Sequence, residues 1–521
     1  MYIFFGIFIY LYRTSMKSIF KAVATVTIFS VITRALGFVF RIFLTRKLGA
    51  EGIGLFQMAS SVLAIFMTLI SSGLPLTTAK LVSKYEANNE LKRRDRVVTS
   101  ALIIALSIAV LSCIFIYLLK SVWGIILTDY RAVELLIILL PSVIFSAIYA
   151  IFRGAMWGHN DYFSCGLTEL LEQIIRFALT FVMLFSITDY FVSTEYSAIA
   201  FNLTCLFSAL ITIFIYFRQS RLNFKRGEYK NIAKSAFPIT GVRLANSLVQ
   251  PLTTLIIPNM LLLSGYSTSE AVSSFGVIMG MTFPMLFVPM SVIGSISMVL
   301  VPSISSMMSK NEYDPIRHNI TSSIDVSIFI SMIFVPLYIS VGDLIGIVLY
   351  DNALSGTLLQ LSAICIVPIT LCNLTGSILN ALNCEVKSFV NYLIGSIVLF
   401  LSLVAFTTLV GINSIILSFF LSMSTITALN IRMMKKTVPN LNLSIMKLIS
   451  KYFLIVIPAS LIGHFISNIC LHIFTSFFSG LIGGGLSLIL SLILIKVFNL
   501  YDLSNLKSLI LRKRKKSIKN N

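Results

Sequence analysis

Four arginines lie inside stretches otherwise too apolar to belong in water. Arg34 and Arg41 occupy the first long apolar stretch, Arg176 the fifth, beside Glu169 and Glu172, and Arg243 the seventh. An arginine at mid-bilayer costs about 2.5–3.5 kcal/mol even on the lenient insertion scale, so four forfeit on the order of 10 kcal/mol unless they face a wet or protein-lined interior. That requirement points to an internal cavity for something anionic. Arg34 and Arg41 are two helical turns apart and share a face. Glu169, Glu172 and Arg176 fall at i, i+3 and i+7, again one face, with Glu172 and Arg176 at pairing distance. Arg243 shares its helix with Asn246 and Gln250, at i+3 and i+7. Three polar stripes, from segments 1, 5 and 7, could thus line one cavity. Glu172 with Arg176 reads equally as an ion pair that locks a helix. Arg34 is near mid-span and Arg41 nearer the outer end, whereas Arg153 and Lys80 read as topology anchors close to the cytoplasmic face, and Asp325 as interfacial.

Arginine is the informative residue type. Its fork of donors takes phosphate oxygens two at a time and never loses its charge. A carboxylate competing for the same guanidinium suits a phosphate-bearing cargo that must be held and then released. A site for organic cations would favour carboxylates and aromatics instead.

The elements that must position these residues are membrane helices. The chain has 521 residues, 57% hydrophobic and 12% charged, with a mean hydropathy of +0.94; soluble domains run nearer 25% charged. About fourteen apolar segments reach the roughly 20 residues that a span needs. The expected fold is an all-α polytopic membrane protein. Lys and Arg outnumber Asp and Glu by 40 to 20, and the excess gathers in alternate loops. Lys84, Lys92, Arg93, Arg94 and Arg96 follow segment 2, and Arg218, Arg221, Lys225, Arg226 and Lys230 follow segment 6. Arg432, Lys435, Lys436 and Lys447 follow segment 12, and Arg512 to Lys519 crowd the tail. The positive-inside rule then puts both termini in the cytoplasm. For the basic tail, topology and anionic-lipid contact are the better account, with no nucleic acid implied. Residues 1–16 read as an N-terminal lead-in with translation starting at Met1 or Met16.

Seven cysteines and four histidines are scattered without metal-ligand spacing, and no phosphate-binding loop is present. No cofactor or metal is expected, nor an ATP-driven pump. A polytopic glycosyltransferase would need catalytic residues on sizeable external loops, and the loops are short, so no enzyme is expected.

A repeat organises the chain. Ser72-Gly73-Leu74-Pro75 with Ser83-Lys84 recurs as Val299-Leu300-Val301-Pro302 with Ser309-Lys310. Leu140-Pro141 recurs as Val367-Pro368, and both proline pairs are 227 residues apart. The same spacing predicts two six-helix lobes. These are residues 17–218 and 231–432, joined by a basic linker at 219–230. Two further helices at 433–497 and a basic tail at 498–521 complete the reading.

Thr33-Arg34-Ala35-Leu36-Gly37-Phe38, with Arg41 two turns beyond Arg34, resembles the first-helix signature of lipid-linked oligosaccharide flippases in the multidrug/oligosaccharidyl-lipid/polysaccharide exporter superfamily. Leu48-Gly49-Ala50-Glu51-Gly52-Ile53-Gly54-Leu55-Phe56-Gln57-Met58 is similar to the stage V sporulation protein B branch, as is Glu169 to Arg176. The resemblance implies a pair of six-helix lobes working by alternating access. It makes Arg34 the cavity arginine and segments 13 and 14 a groove for a polyprenyl tail.

The expected function is a flippase, working as a monomer in the cytoplasmic membrane, for a polyprenyl-diphosphate-linked saccharide, foremost a lipid II-type peptidoglycan precursor. Arg34, Arg41 and Arg243, with Asn246 and Gln250, would bind the diphosphate. Glu169, Glu172 and Arg176 would gate or couple, with membrane potential or a coupling cation (H+ or Na+) supplying the energy. The alternatives are a cation-coupled multidrug exporter, an exporter of another lipid-linked polysaccharide unit, and a non-transporting envelope scaffold.

Overall fold

The computed structural model describes residues 18–225, 227–443 and 445–498. Every regular element among them is helical. By contact the chain forms two compact units. Among the described residues, the first runs to Pro258 and adds Thr268–Gly276, and the second takes Asn259–Ser267 and those from Val277 onward.

The first unit opens with α1 (Ser18–Ser71), whose 54 residues would span about 81 Å if straight, far more than a bilayer's roughly 30 Å core. Gly49 breaks it, at φ 66° and ψ −177°, backbone that side chains with a Cβ rarely adopt. Each arm is by itself long enough to cross a bilayer. After α2 (Gly73–Ala87), α3 (Leu91–Leu118) and the short α4 (Lys120–Ile126) come three long helices: α5 (Tyr130–Gly158), α6 (Tyr162–Leu184) and α7 (Tyr190–Gln219). α8 (Tyr229–Ser247) lies against α1, α2 and α3 of the same unit. At Gly73 a side chain would collide with the Ala236 carbonyl and Thr240 hydroxyl of α8. The helix continues as α9 (Val249–Leu263), and α10 (Thr268–Gly276) returns to the first unit.

That return explains the glycines after Leu48. A Cβ on Gly54 would strike the Val272 carbonyl, and one on Gly276 would strike the Ala50 carbonyl. The second arm of α1 and α10 thus cross backbone against backbone, as small residues permit in membranes.

Pro141 opens α5, its ring displacing the preceding turn's carbonyl. Asn202 of α7 fills the gap. It accepts from the Ser142 amide at 3.0 Å and donates to the Ile138 carbonyl at 2.5 Å, so the turn around Pro141 is held by a side chain from a neighbouring helix.

In the second unit a π-helical turn (Val277–Thr282) leads through α11 (Phe283–Leu286) to α12 (Val288–Ser309) and the 38-residue α13 (Tyr313–Tyr350). α14 (Ala353–Ser362) and α15 (Ile366–Ala381) flank a short 3-10 turn, followed by α16 (Glu385–Val410) and α17 (Asn413–Thr437). In this unit Thr427 of α17 donates to the Pro368 carbonyl of α15 at 3.2 Å. The hairpin of α18 (Ile445–Leu471) and α19 (Ser476–Val497) packs on α13. Where α13 breaks at Val341, the Leu344 amide turns to the Asp343 carboxylate, and His464 of α18 takes the freed Ser340 carbonyl at 3.1 Å.

Ten described helices are long and apolar enough to cross a membrane. The shortfall against the expected segments has local causes. α1 and α2 run together as one apolar stretch, α9 is short, and α18 contributes only its described part. α6 is excluded by the three charges Glu169, Glu172 and Arg176.

Candidate functional site

α6 starts where Asp161 caps it, accepting from the Ser164 amide at 3.1 Å. Two faces of this helix then do different work. Phe163, Gly166, Gln173, Phe177 and Phe181 face α1: Phe163 meets Phe29 edge-on at 5.6 Å, and Phe177 meets both Phe40 and Phe43. Gly166 leaves room for the Phe29 ring, and Gln173 reaches toward Gly37. About a quarter-turn round the helix, Glu169, Glu172 and Arg176 face α5 and α7.

There they form a ladder of opposite charges. Arg153 of α5 donates to Glu169 at 2.6 Å, and Arg176 donates to Glu172 one turn of α6 away. The Arg153 guanidinium lies over the Tyr149 ring at 5.8 Å, and that of Arg176 over Phe201 of α7 at 5.3 Å. The Tyr149 hydroxyl is buried without a hydrogen-bond partner among the described residues. Each acid is therefore occupied by one arginine, and each arginine rests on one aromatic face, an arrangement that neutralises charge inside an apolar bundle. The ladder is not saturated. The Arg153 and Arg176 Nε atoms, the Gln173 Oε1 and the Thr33 Oγ1 are buried without a hydrogen-bond partner among the described residues.

The other expected site residues fall elsewhere. Arg34 and Arg243 are exposed and form no hydrogen bond or ion pair among the described residues, while Arg41 is half-buried. The side chains of Asn246 and Gln250 lie outside the described residues. Thus the structure joins Glu169, Glu172 and Arg176 to one another and to Arg153, but not to Arg34 or Arg243. The sequence reading placed Arg153 at the cytoplasmic face as an anchor. Its pairing with Glu169 makes it part of the ladder. Tyr149 and Arg153, at i and i+4 on α5, were the signal available for this, but they gain meaning only once α5 is placed beside α6.

A second charged cluster sits at the far end of the unit, where α2, α3, α5 and α7 end or begin. His159 bridges Glu86 at 2.6 Å and the Ser220 hydroxyl at 3.3 Å. Arg94 holds Asp95, and Arg93 holds both Glu90 and Glu228. The bond from Arg93 keeps the Glu228 carboxyl below the usual carboxylate range. At the opposite end of α5, Arg131 ties Asp129 to Glu51, just past the α1 break.

Solved structures share this architecture. The chain superposes on a lipid II flippase MurJ in an inward closed conformation with a TM-score of 0.67 at 16% identity, covering 91% of this chain and 99% of that one. An inward-facing multidrug resistance MATE family transporter of the MOP superfamily gives a TM-score of 0.65 at 13% identity, covering 80% and 98%. Among sequence relatives, Stage V sporulation protein B of Bacillus subtilis (strain 168) is 24% identical over 382 residues, 70% of this chain and 73% of that protein. Lipid II flippase MurJ of the same organism is 19% identical over 361 residues, 63% and 65% of the two chains. The fold is that of the MOP transporters, and the protein is a multi-pass bacterial membrane protein. The match over residues 19–308 is more specific: the chain belongs to the family described as Polysaccharide biosynthesis protein.

Proposed function

We propose that the protein is a flippase that moves a polyprenyl-diphosphate-linked saccharide, of the lipid II type, across the cytoplasmic membrane by alternating access. Fourteen crossings, cytoplasmic termini and two six-helix lobes belong to this reading. So do a monomeric state, the absence of enzymatic chemistry, and energy drawn from membrane potential or a coupling cation. The observation that carries it is the contrast between arginines. Those of α5 and α6 are neutralised by Glu169 and Glu172, whereas Arg34 in α1 is exposed with no acid beside it among the described residues. A cation kept unpaired in an apolar helix is stabilised when an anionic ligand arrives. Arg34 is the principal diphosphate ligand, with Arg243 and Arg41 and, on the same helix as Arg243, Asn246 and Gln250. The Glu172–Arg176 pair opens when phosphate oxygens compete for the guanidinium, which makes the ladder the gate. Kinship with Stage V sporulation protein B and Lipid II flippase MurJ supports the cargo.

The test uses a strain depleted of its own lipid II flippases, scoring externally accessible precursor. Wild type restores accessibility, and Arg34→Ala, inserted normally, does not. Full activity of that variant removes Arg34 from the site, and failure of the inserted wild type assigns the protein a different cargo. The likeness to MATE transporters raises drug export as a second reading. Against it, both carboxylates of α6 already hold arginines, which leaves neither free for an organic cation.

A further inference from the structure

The linker after α7 is a folded element with an unusual surface. Its backbone is pinned to the first turns of α3: the Asn223 amide donates to the Thr99 hydroxyl at 2.8 Å, the Glu228 amide donates to the Ser100 hydroxyl at 3.0 Å, and Glu228 takes Arg93. The acids around this attachment are all engaged: Glu86 by His159, Glu90 and Glu228 by Arg93, Asp95 by Arg94. What remains outside is cationic and aromatic. Arg221, Lys225, Lys230 and Lys234 are exposed and form no ion pair among the described residues. Phe224 is 74% exposed and Phe237 80% exposed.

The order along α8 is informative. Ile232 and Ala236 are buried against the rest of the unit, and Lys230, Lys234 and Phe237 share the outer stripe at i, i+4 and i+7. At 1.5 Å per residue, Phe237 lies about 12 Å along the helix from Tyr229, so the lysines precede the ring by one to two turns. Cations first and an exposed phenylalanine deeper is the order of a headgroup layer above an acyl layer.

We propose that Arg221, Phe224 and Lys225 of the linker, with Lys230, Lys234 and Phe237 of α8, form a binding site for anionic phospholipid headgroups of the cytoplasmic leaflet. Phe224 and Phe237 enter the acyl boundary, and Arg221, Lys225, Lys230 and Lys234 take the phosphates. The pinned linker matters because it presents these side chains from a fixed backbone, so fewer degrees of freedom are lost on binding. The proposal rests only on the cytoplasmic assignment of this face, and its readout is lipid retention rather than flipping, so it stands or falls apart from the cargo.

The test titrates detergent-purified full-length protein with phosphatidylglycerol or phosphatidylcholine and counts bound lipids by native mass spectrometry. A basic group near an anionic surface contributes a factor of about five, so four of them, partly screened, give at least roughly tenfold. Wild type should prefer phosphatidylglycerol by that margin. The variant R221Q/K225Q/K230Q/K234Q should lose the preference, while neutralising Arg512 to Lys516 in the tail should leave it intact. Equal retention of both lipids by wild type, or loss only in the tail variant, overturns the proposal. If the quadruple variant fails to fold, Phe224→Trp carries the test with every charge present. Its added fluorescence should be quenched by brominated phosphatidylglycerol and not by brominated phosphatidylcholine, and equal quenching or none rejects the site.

Discussion

The bond between Arg153 and Glu169 can be weighed against the structure. Their charged atoms are 2.6 Å apart, with the side chains 29% and 35% exposed, intermediate between a surface pair and a buried one. Two unit charges about 4 Å apart attract by roughly 4 kcal/mol at an effective dielectric of 20, before desolvation and lost rotamer freedom are subtracted. Exposed pairs net about 0–1 kcal/mol, and removing one partner of a fully buried pair costs about 3–5 kcal/mol. For this pair we expect Glu169→Gln and Arg153→Gln to cost about 2 kcal/mol each, and the double variant little more than either single, a coupling of about 1.5–2 kcal/mol. The assay is a double-mutant cycle on unfolding in mild detergent, with the same four proteins scored for precursor accessibility. Additive single effects would refute the ladder. A full coupling in stability with unchanged accessibility in all four would leave the ladder structural and refute its role as a gate.

Three further outcomes follow from particular contacts. Asn202→Leu should cost about 2 kcal/mol, because it removes both bonds that α7 makes to the Ser142 amide and the Ile138 carbonyl inside the bundle; unfolding within about 0.5 kcal/mol of wild type refutes that role. Gly276→Val should destabilise the first unit by about 3 kcal/mol, since its side chain meets the Ala50 backbone rather than a movable side chain; wild-type expression and thermal midpoint contradict the close crossing. The linker's attachment should depend on pH with a defined sign. The Glu228 carboxyl is depressed in the folded state, chiefly by its bond to Arg93, so its contribution is present above the usual carboxylate pKa and disappears as pH falls through the lower folded value. Hydrogen exchange at the Glu228 amide, corrected for intrinsic rate, should accelerate only below about pH 4.5, and Glu228→Gln should abolish that dependence; a rise between pH 6 and 8 assigns the effect to another group.

The polar pattern of α6 was legible from spacing alone. Residues three, four and seven apart share a helical face, so Glu169, Glu172 and Arg176 had to lie together and Glu172 had to reach Arg176. The membrane class and the matched prolines were equally local properties. The glycines after Leu48 could be quoted as a resemblance, but their reason, the carbonyls of Val272 and Ala50, lies more than two hundred residues from one partner to the other. The same limit applied to Arg153, to Asn202 and to α8, each defined by a neighbour from another helix. Hydrophobic periodicity reports which side of a helix is apolar. It does not report which apolar side meets which, because every membrane helix offers several and the choice is made by close fit among small residues and rings. Sequence by itself therefore determined the helices, their charges and which charges share a face. Only the tertiary structure decided that this face of α6 turns to α5 and α7, while Phe29, Phe40 and Phe43 of α1 hold the other.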